Sequence, residues 1–271
     1  MHRIILLTGA TDGIGLVTAE KLVAEGHHLL LHGRNPAKLQ TVENKLKALS
    51  AGVVESYQAD MSDLSEVEKL ARQVSERHTR LDVIINNAGV YKTDQPITKD
   101  HLDVRFVVNT LAPYLLTKRL MPLMDRTGRV VNLASAAQEA VDLDAMAGNQ
   151  AVKEDFSAYG QSKLALTMWS RQMAHGLGDT GPAIIAVNPG SLLASKMVKE
   201  GFGVAGKDLA IGADVLMRAA LSEEFAKASG LYFDNDIGQF GQPHSDALND
   251  TKCEQLVLAI EQQLTALGLP V

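Results

Sequence analysis

With 271 residues, 46% of them hydrophobic and 21% charged, the chain is long enough to bury a sizeable core, and its composition is that of a globular rather than a disordered protein. A formal charge of −6 provides no broad basic face for a phosphate backbone, which disfavours nucleic acid as a partner. The single cysteine, Cys253, excludes an internal disulfide and a CxxC metal cluster and fits a reducing compartment.

Taken in chain order, the first apolar run passes straight into a glycine-rich turn rather than a cleavage site, so it reads as a strand and not a signal peptide. No apolar run approaches the roughly 18 residues of a membrane span, so a cytoplasmic protein without a membrane partner is expected. Seven short runs read as strands: 3–8, 28–32, 53–59, 81–86, 129–135, 183–188 and 231–234. Most are apolar on consecutive positions, as strands covered on both faces must be. Helical patterns fill the intervals at 14–25, 36–49, 64–77, 102–125, 158–177 and 210–222, and a last apolar stripe at Leu256, Ile260, Leu264 and Leu267 marks a helix over 249–267. Alternation of this kind predicts an α/β doubly wound Rossmann fold: one domain over residues 1–271, with a seven-stranded parallel sheet and helices on both faces. Two stretches interrupt the rhythm, the polar segment 138–156 and the loop 191–207, and both are expected to wall a substrate site.

In such folds ligands bind beyond the carboxyl ends of the strands, so the residues just after each run carry the functional reading. After the first strand comes Thr8-Gly9-Ala10-Thr11-Asp12-Gly13-Ile14-Gly15, a turn with glycines where backbone passes close to a ligand, followed by a helix N-terminus able to receive a diphosphate. After the second strand stands Arg34, where a ribose 2′-phosphate calls for a guanidinium, which points to NADP(H) while leaving NAD(H) possible. Asp60-Met61 follows the third strand, and the Asp60 carboxylate is a candidate for the adenine amino group or, equally, a helix cap. In Ala158-Tyr159-Gly160-Gln161-Ser162-Lys163, a phenol and an ammonium lie four residues apart on a predicted helix and therefore share one face. An adjacent ammonium favours the phenolate, drawing a phenol's ordinary pKa of about 10 toward neutrality.

Together these stretches resemble the short-chain dehydrogenase/reductase family, and within it the retinol-dehydrogenase-like NADPH-dependent members. The resemblance covers nearly the whole chain. It rests on the TGxxxGxG turn at Thr8–Gly15, the NNAG motif at Asn86-Asn87-Ala88-Gly89, Asn109, Ser135, Tyr159-x-x-x-Lys163 and the turn Asn188-Pro189-Gly190. It implies an oxidoreductase moving hydride between NADP(H) and an apolar carbonyl or alcohol, with Asn109, Ser135, Tyr159 and Lys163 as the catalytic set. Tyr159 would be the general acid or base, Lys163 would tune it and hold the nicotinamide ribose, Ser135 would hold the substrate oxygen, and Asn109 would orient a water leading from Lys163 to solvent. The implied cofactor contacts are Gly9, Thr11, Asp12, Gly13, Ile14, Gly15, Arg34, Asp60, Met61, Asn87, Ala88, Gly89, Tyr159, Lys163, Pro189, Gly190 and Ser191. After Gly190 the chain departs from the family pattern: Ala194 occupies the aligned place of the usual Thr, leaving Ser191 and Ser195 as candidates for the nicotinamide carboxamide. Homodimers or homotetramers packed through the two long helices, 102–125 and 158–177, are also implied.

The histidines show no metal-ligand spacing in sequence, so no metal is expected, and Trp169 and the methionines at 121, 124, 168 and 173 read as packing residues. A cofactor-sensing regulator without turnover is the alternative from another class, disfavoured by retention of all four catalytic residue types.

Overall fold

The computed structural model describes residues 2–49, 52–194, 198–199 and 203–271. The strands are β1 (Ile4–Leu7), β2 (His28–Gly33), β3 (Val54–Gln58), β4 (Val83–Asn86), β5 (Arg129–Leu133), β6 (Ala183–Asn188), β7 (Tyr232–Asp234) and β8 (Gln239–Gly241). They form one sheet in the order β3-β2-β1-β4-β5-β6-β7-β8. The reversal of direction beside β1 is the switch point at which a doubly wound sheet opens its ligand crevice. Pairing is parallel except between β7 and β8, where Phe233 faces Phe240 in an antiparallel register. The sheet thus has eight strands, not seven; the three-residue β8, with two exposed positions, has no apolar run to betray it and is recognised only by its pairing.

The helices are α1 (Gly13–Ala24), α2 (Pro36–Leu49), α3 (Leu64–Arg77), the composite α4, α5 (Leu143–Met146), α6 (Asp155–Leu177), α7 (Leu209–Leu221) and α8 (Asp250–Ala266). Within α4, Val104–Phe106 and Ala112–Leu120 are joined by a π-helical stretch, Val107–Leu111. The expected helix over 102–125 is therefore shorter: Asp103 caps its start by accepting from the Arg105 amide, and a 3₁₀ turn, Met121–Leu123, follows its end.

Side chains alternate along each strand between two apolar layers. On β1, Leu6 points into the layer containing Val67, Leu115, Leu166 and Ile260, whereas Ile5 and Leu7 join Leu22, Leu46 and Leu216 on the other face. Double coverage explains why the strands read as continuous apolar runs. The C-terminal helix α8 lies on α6 and α4 of its own chain: Cys253, Leu256, Ile260 and Leu264 are fully buried, and the Tyr114 hydroxyl of α4 donates to Glu261 Oε1 at 2.6 Å. The Arg119 guanidinium also donates to the Pro270 carbonyl at 2.9 Å. Faces of the long helices that the resemblance assigns to subunit packing are thus covered in cis, with Trp169 fully buried edge-on to Tyr114. Among the described residues no helix is long and apolar enough to cross a membrane.

Candidate active site

The glycine turn is locked against the ends of β2 and β4. Gly9 and Gly13 adopt φ of +64° and +55°, open to glycine at little cost, and a Cβ on Gly15 would stand 2.3 Å from the Gly9 carbonyl oxygen. Asn87 serves this turn from β4: its side-chain amide donates to the carbonyls of Thr8 and Gly9 at 2.9 and 3.0 Å, while Thr8 Oγ1 accepts from the Asn87 and Ala88 amides. His32 performs the same service from β2. Its Nδ1 accepts from the Gly9 amide at 3.1 Å, so Nε2 carries the proton and donates to the Ala59 carbonyl at 3.0 Å. Burial pushes the imidazole down to about 4, and it is neutral at pH 7. In the sequence His32 is one of several unassigned histidines; what defines it is contact with residues 23 positions before it and 27 after it.

Asp12 caps α1 by accepting from the Gly13 amide at 2.8 Å, and Lys38 lies 3.3 Å from its other carboxylate oxygen. Arg34 projects from the end of β2 with its side chain 76% exposed and 3.7 Å from Asp60 Oδ2. Lys38 offsets the negative charge of Asp12, so two cations, Arg34 and Lys38, follow the end of β2. Lys38 had a sequence signal: a basic residue in the first turn of a helix runs against the helix dipole. A cleft of about 270 Å³ opens beside Asp60, lined also by Ser62, Gln95 and Thr98; Asp60 Oδ1 accepts from the Ser62 amide and hydroxyl, and Met61 is buried beneath.

The structure brings Asn109, Ser135, Tyr159 and Lys163 to the carboxyl ends of β4 and β5. Lys163 is 4% exposed; its Nζ donates to the Leu133 carbonyl at 2.6 Å and lies 5.7 Å from the centre of the Tyr159 ring. Burial pushes the Lys163 ammonium down to about 8. For Tyr159, burial pushes the phenol above its ordinary value, a hydrogen bond with the Ser135 hydroxyl works against that, and Tyr91 adds to it. Desolvation therefore outweighs the mutual attraction expected from the i, i+4 spacing, and the free protein holds a protonated phenol beside a weakened ammonium. Tyr91, on the loop after β4, meets Tyr159 edge-on at 5.2 Å, a contact nothing in the sequence marks.

Asn109 sits in the π-helical stretch of α4, a local widening common at functional sites. Its Oδ1 accepts from the Val90 amide and its Nδ2 donates to the Val90 carbonyl and to Ser162 Oγ, all at 2.9 Å. Gly89 lies between this amide and Lys163: a Cβ there would stand 3.3 Å from Asn109 Oδ1 and 3.6 Å from Lys163 Nζ. Just past the end of β5, Ser135 Oγ accepts from the Ala137 amide, and the Ser135 carbonyl accepts from the Tyr232 hydroxyl at 3.1 Å and Gln138 Nε2 at 2.9 Å. Tyr232, on β7, thus holds the serine from almost a hundred residues away.

After β6, Gly190 has φ of +115°, and Asn188 Nδ2 donates to Asp234 and Asp236. The Ser191 amide and hydroxyl both donate to Asp236, at 2.8 and 2.5 Å, so this hydroxyl is already committed. Ser195 lies outside the described residues. Leu192 adopts φ of +54°, strained for a branched side chain, and the loop closes on itself through the Leu193–Lys207 bridge. In the segment 138–156, α5 is capped by Asp142, whose amide donates to Gln161 Oε1 of α6 at 3.0 Å, and Met146 is fully buried.

Residues 3–203 match the family model described as short chain dehydrogenase. Mouse retinol dehydrogenase 13 is 28% identical over 251 residues, covering 86% of this chain and 75% of that protein. Among solved structures, the landomycin C-6 ketoreductase LanV with bound NADP and rabelomycin is 26% identical with a TM-score of 0.68, over 87% of this chain and 97% of that one. A short chain dehydrogenase from Burkholderia cenocepacia J2315 in complex with NADP is 25% identical, again with a TM-score of 0.68, over 88% and 97%. With the glycine turn, the tyrosine–lysine helix and the doubly wound sheet all matched, the chain belongs to the short-chain dehydrogenase family of oxidoreductases, which act on alcohol and carbonyl groups.

Proposed function

We propose that the protein is an NADP(H)-dependent oxidoreductase that interconverts an apolar carbonyl and its alcohol, with Tyr159 as general acid and base. The observation that carries this reading is the gathering of Ser135, Tyr159 and Lys163 at one crevice beside a glycine turn with no room for side chains. The residues fit a dinucleotide: Gly9, Thr11, Asp12, Gly13, Ile14 and Gly15 form the diphosphate turn, Asp60 and Met61 the adenine end, and Asn87, Ala88, Gly89, Pro189, Gly190 and Ser191 the nicotinamide side. Arg34, joined by Lys38, is the 2′-phosphate contact and the basis for preferring NADP(H) over NAD(H).

Bound NADPH supplies the hydride. Tyr159, holding its proton at pH 7, delivers it to the carbonyl oxygen as negative charge grows there, and Ser135 donates a hydrogen bond to the same oxygen. As the phenolate forms, the nearby Lys163 ammonium offsets its charge, and Asn109, on the far side of Gly89 from Lys163, orients the water that leads a replacement proton inward. In oxidation the same groups run in reverse. The apolar residues of the loop 191–207 and the segment 138–156 favour an apolar substrate, in keeping with the retinol and rabelomycin named for the relatives.

A cytoplasmic location belongs to the same proposal, supported by the single, buried free cysteine Cys253, which fits a reducing compartment. Self-association to a homodimer or homotetramer does too; because α8 covers α4 and α6, its contacts lie elsewhere, and the exposed Ile237 and Phe240 at edge strand β8 are among the apolar side chains open to such a contact.

Titration with NADPH and NADH at two salt concentrations, followed by a carbonyl screen, tests the reading. Preference for NADPH that Arg34→Ala abolishes, and turnover that Tyr159→Phe lowers at least a hundredfold with cofactor affinity unchanged, is the expected result. Cofactor binding without turnover of any carbonyl or alcohol would favour a cofactor-sensing regulator instead.

A further inference from the structure

At the amino-terminal ends of β2 and β3, the opposite end of the strands from the glycine turn, three residues distant in sequence converge: His28 opens β2, Glu55 lies near the start of β3, and His78 is the C-cap of α3. His28 Nε2 stands 2.7 Å from Glu55 Oε1, and His78 Nε2 3.3 Å from Glu55 Oε2. The three nearest ligand atoms all lie within 4.8 Å of one another, and among the described residues no other trio of His, Cys, Asp or Glu side chains gathers in this way. Both imidazoles turn the same nitrogen toward one carboxylate, with their rings edge-on at 5.5 Å. The Tyr57 hydroxyl stands between two members of the cluster, donating to Glu55 Oε2 at 3.0 Å and lying 3.1 Å from His78 Nε2, a contact that an incoming ion would displace while Tyr57 continues to orient the carboxylate.

Hydrogen bonds hold the carboxylate and the two Nε2 atoms together; a divalent cation would take the place of those bonds, accepting a lone pair from each Nε2, with the ring proton on Nδ1, and from the carboxylate. Ligand atoms bound about 2.0–2.1 Å from a tetrahedral ion are roughly 3.4 Å apart, so the present spacing needs shifts of under about 1 Å. Nitrogen with carboxylate oxygen suits zinc and its neighbours rather than calcium or magnesium. His78 is buried while His28 and Glu55 keep about a quarter of their side chains exposed, which gives an ion a path inward. Arg77, 5.5 Å from the Tyr57 ring centre, is an opposing charge beside the cluster.

We propose that His28, Glu55 and His78 form a binding site for a divalent cation of the zinc type, completed by water. Such a site pins edge strand β3 to β2 and to the end of α3, so its effect is on stability rather than on the chemistry at Tyr159. To test it, the full chain is stripped with EDTA and titrated with Zn²⁺ against a chromophoric chelator, with thermal unfolding followed in parallel. One equivalent is expected to bind and to raise the unfolding midpoint. His28→Gln and His78→Gln should each weaken binding at least tenfold and remove the shift, whereas His175→Gln should change neither. Should the variants fail to fold, X-ray absorption on the wild-type chain with one equivalent of Zn²⁺ decides: two imidazoles with oxygen ligands support the site. Absence of saturable binding, full-strength binding in both variants, or a sulfur ligand would overturn it.

Discussion

Lys163 shows at the residue scale how burial and charge compete. Its ammonium, ordinarily near 10.5, is pushed down to about 8 by burial. Below pH 8 it is protonated in both folded and unfolded chains, and the fold bears the cost of a desolvated charge. Between 8 and 10.5 the unfolded chain still binds the proton and the native chain does not, so stability rises with pH across that window. Lys163→Met is therefore expected to be more stable than wild type at pH 7, by on the order of 3 kcal/mol if desolvation is the whole effect, with the gain vanishing near pH 10.5. Denaturant unfolding at the two pH values measures this; a variant less stable at both would mean that the bond to the Leu133 carbonyl matters more than desolvation. The same variant should lose carbonyl reduction, and wild-type reduction should decline above pH 8 as the phenolate loses its counter-charge. The Tyr159–Lys163 pair was legible in the sequence because both residues sit on one helix. Tyr91 and His32 were not, because each acts through contacts with segments remote in the sequence.

At the scale of elements, α4 and α8 carry the information that periodicity could not. A 3.6-residue apolar pattern runs through α4 without registering the π-helical stretch, since one inserted residue shifts the face by little more than a quarter turn. That stretch places the Asn109 amide against Val90 and Ser162. The apolar stripe of α8 was visible in the sequence, but only tertiary packing shows that it closes on its own α6 and α4. Ile260→Ala, at a fully buried position in that seam, is expected to cost about 2–5 kcal/mol. Equilibrium unfolding measures the loss, and a change below about 1 kcal/mol would mean that α8 contributes little to the fold.

For the whole molecule, the faces left open decide what kind of assembly is available. With α8 seated over the long helices, the proposed association is directed to another surface, and Ile237, 59% exposed beside β8, is the most exposed large apolar side chain among the described residues. Sedimentation of the wild type as a dimer or tetramer, shifted toward monomer by Ile237→Asp, is the expected result; an unshifted distribution would move the contact away from β8. The alternation of strands and helices, the doubly covered sheet, the glycine turn and the tyrosine–lysine helix were determined by the sequence itself, because each is a local signal: an apolar run, a glycine spacing, an i, i+4 pair. Other features were decided only by the tertiary structure: the eighth strand, the cis seat of α8, the histidine that braces Gly9, the protonation states of Tyr159 and Lys163, and the cluster of His28, Glu55 and His78. Each depends on distances between residues remote in sequence, or on removal from water, and burial and convergence exist only once the chain has folded.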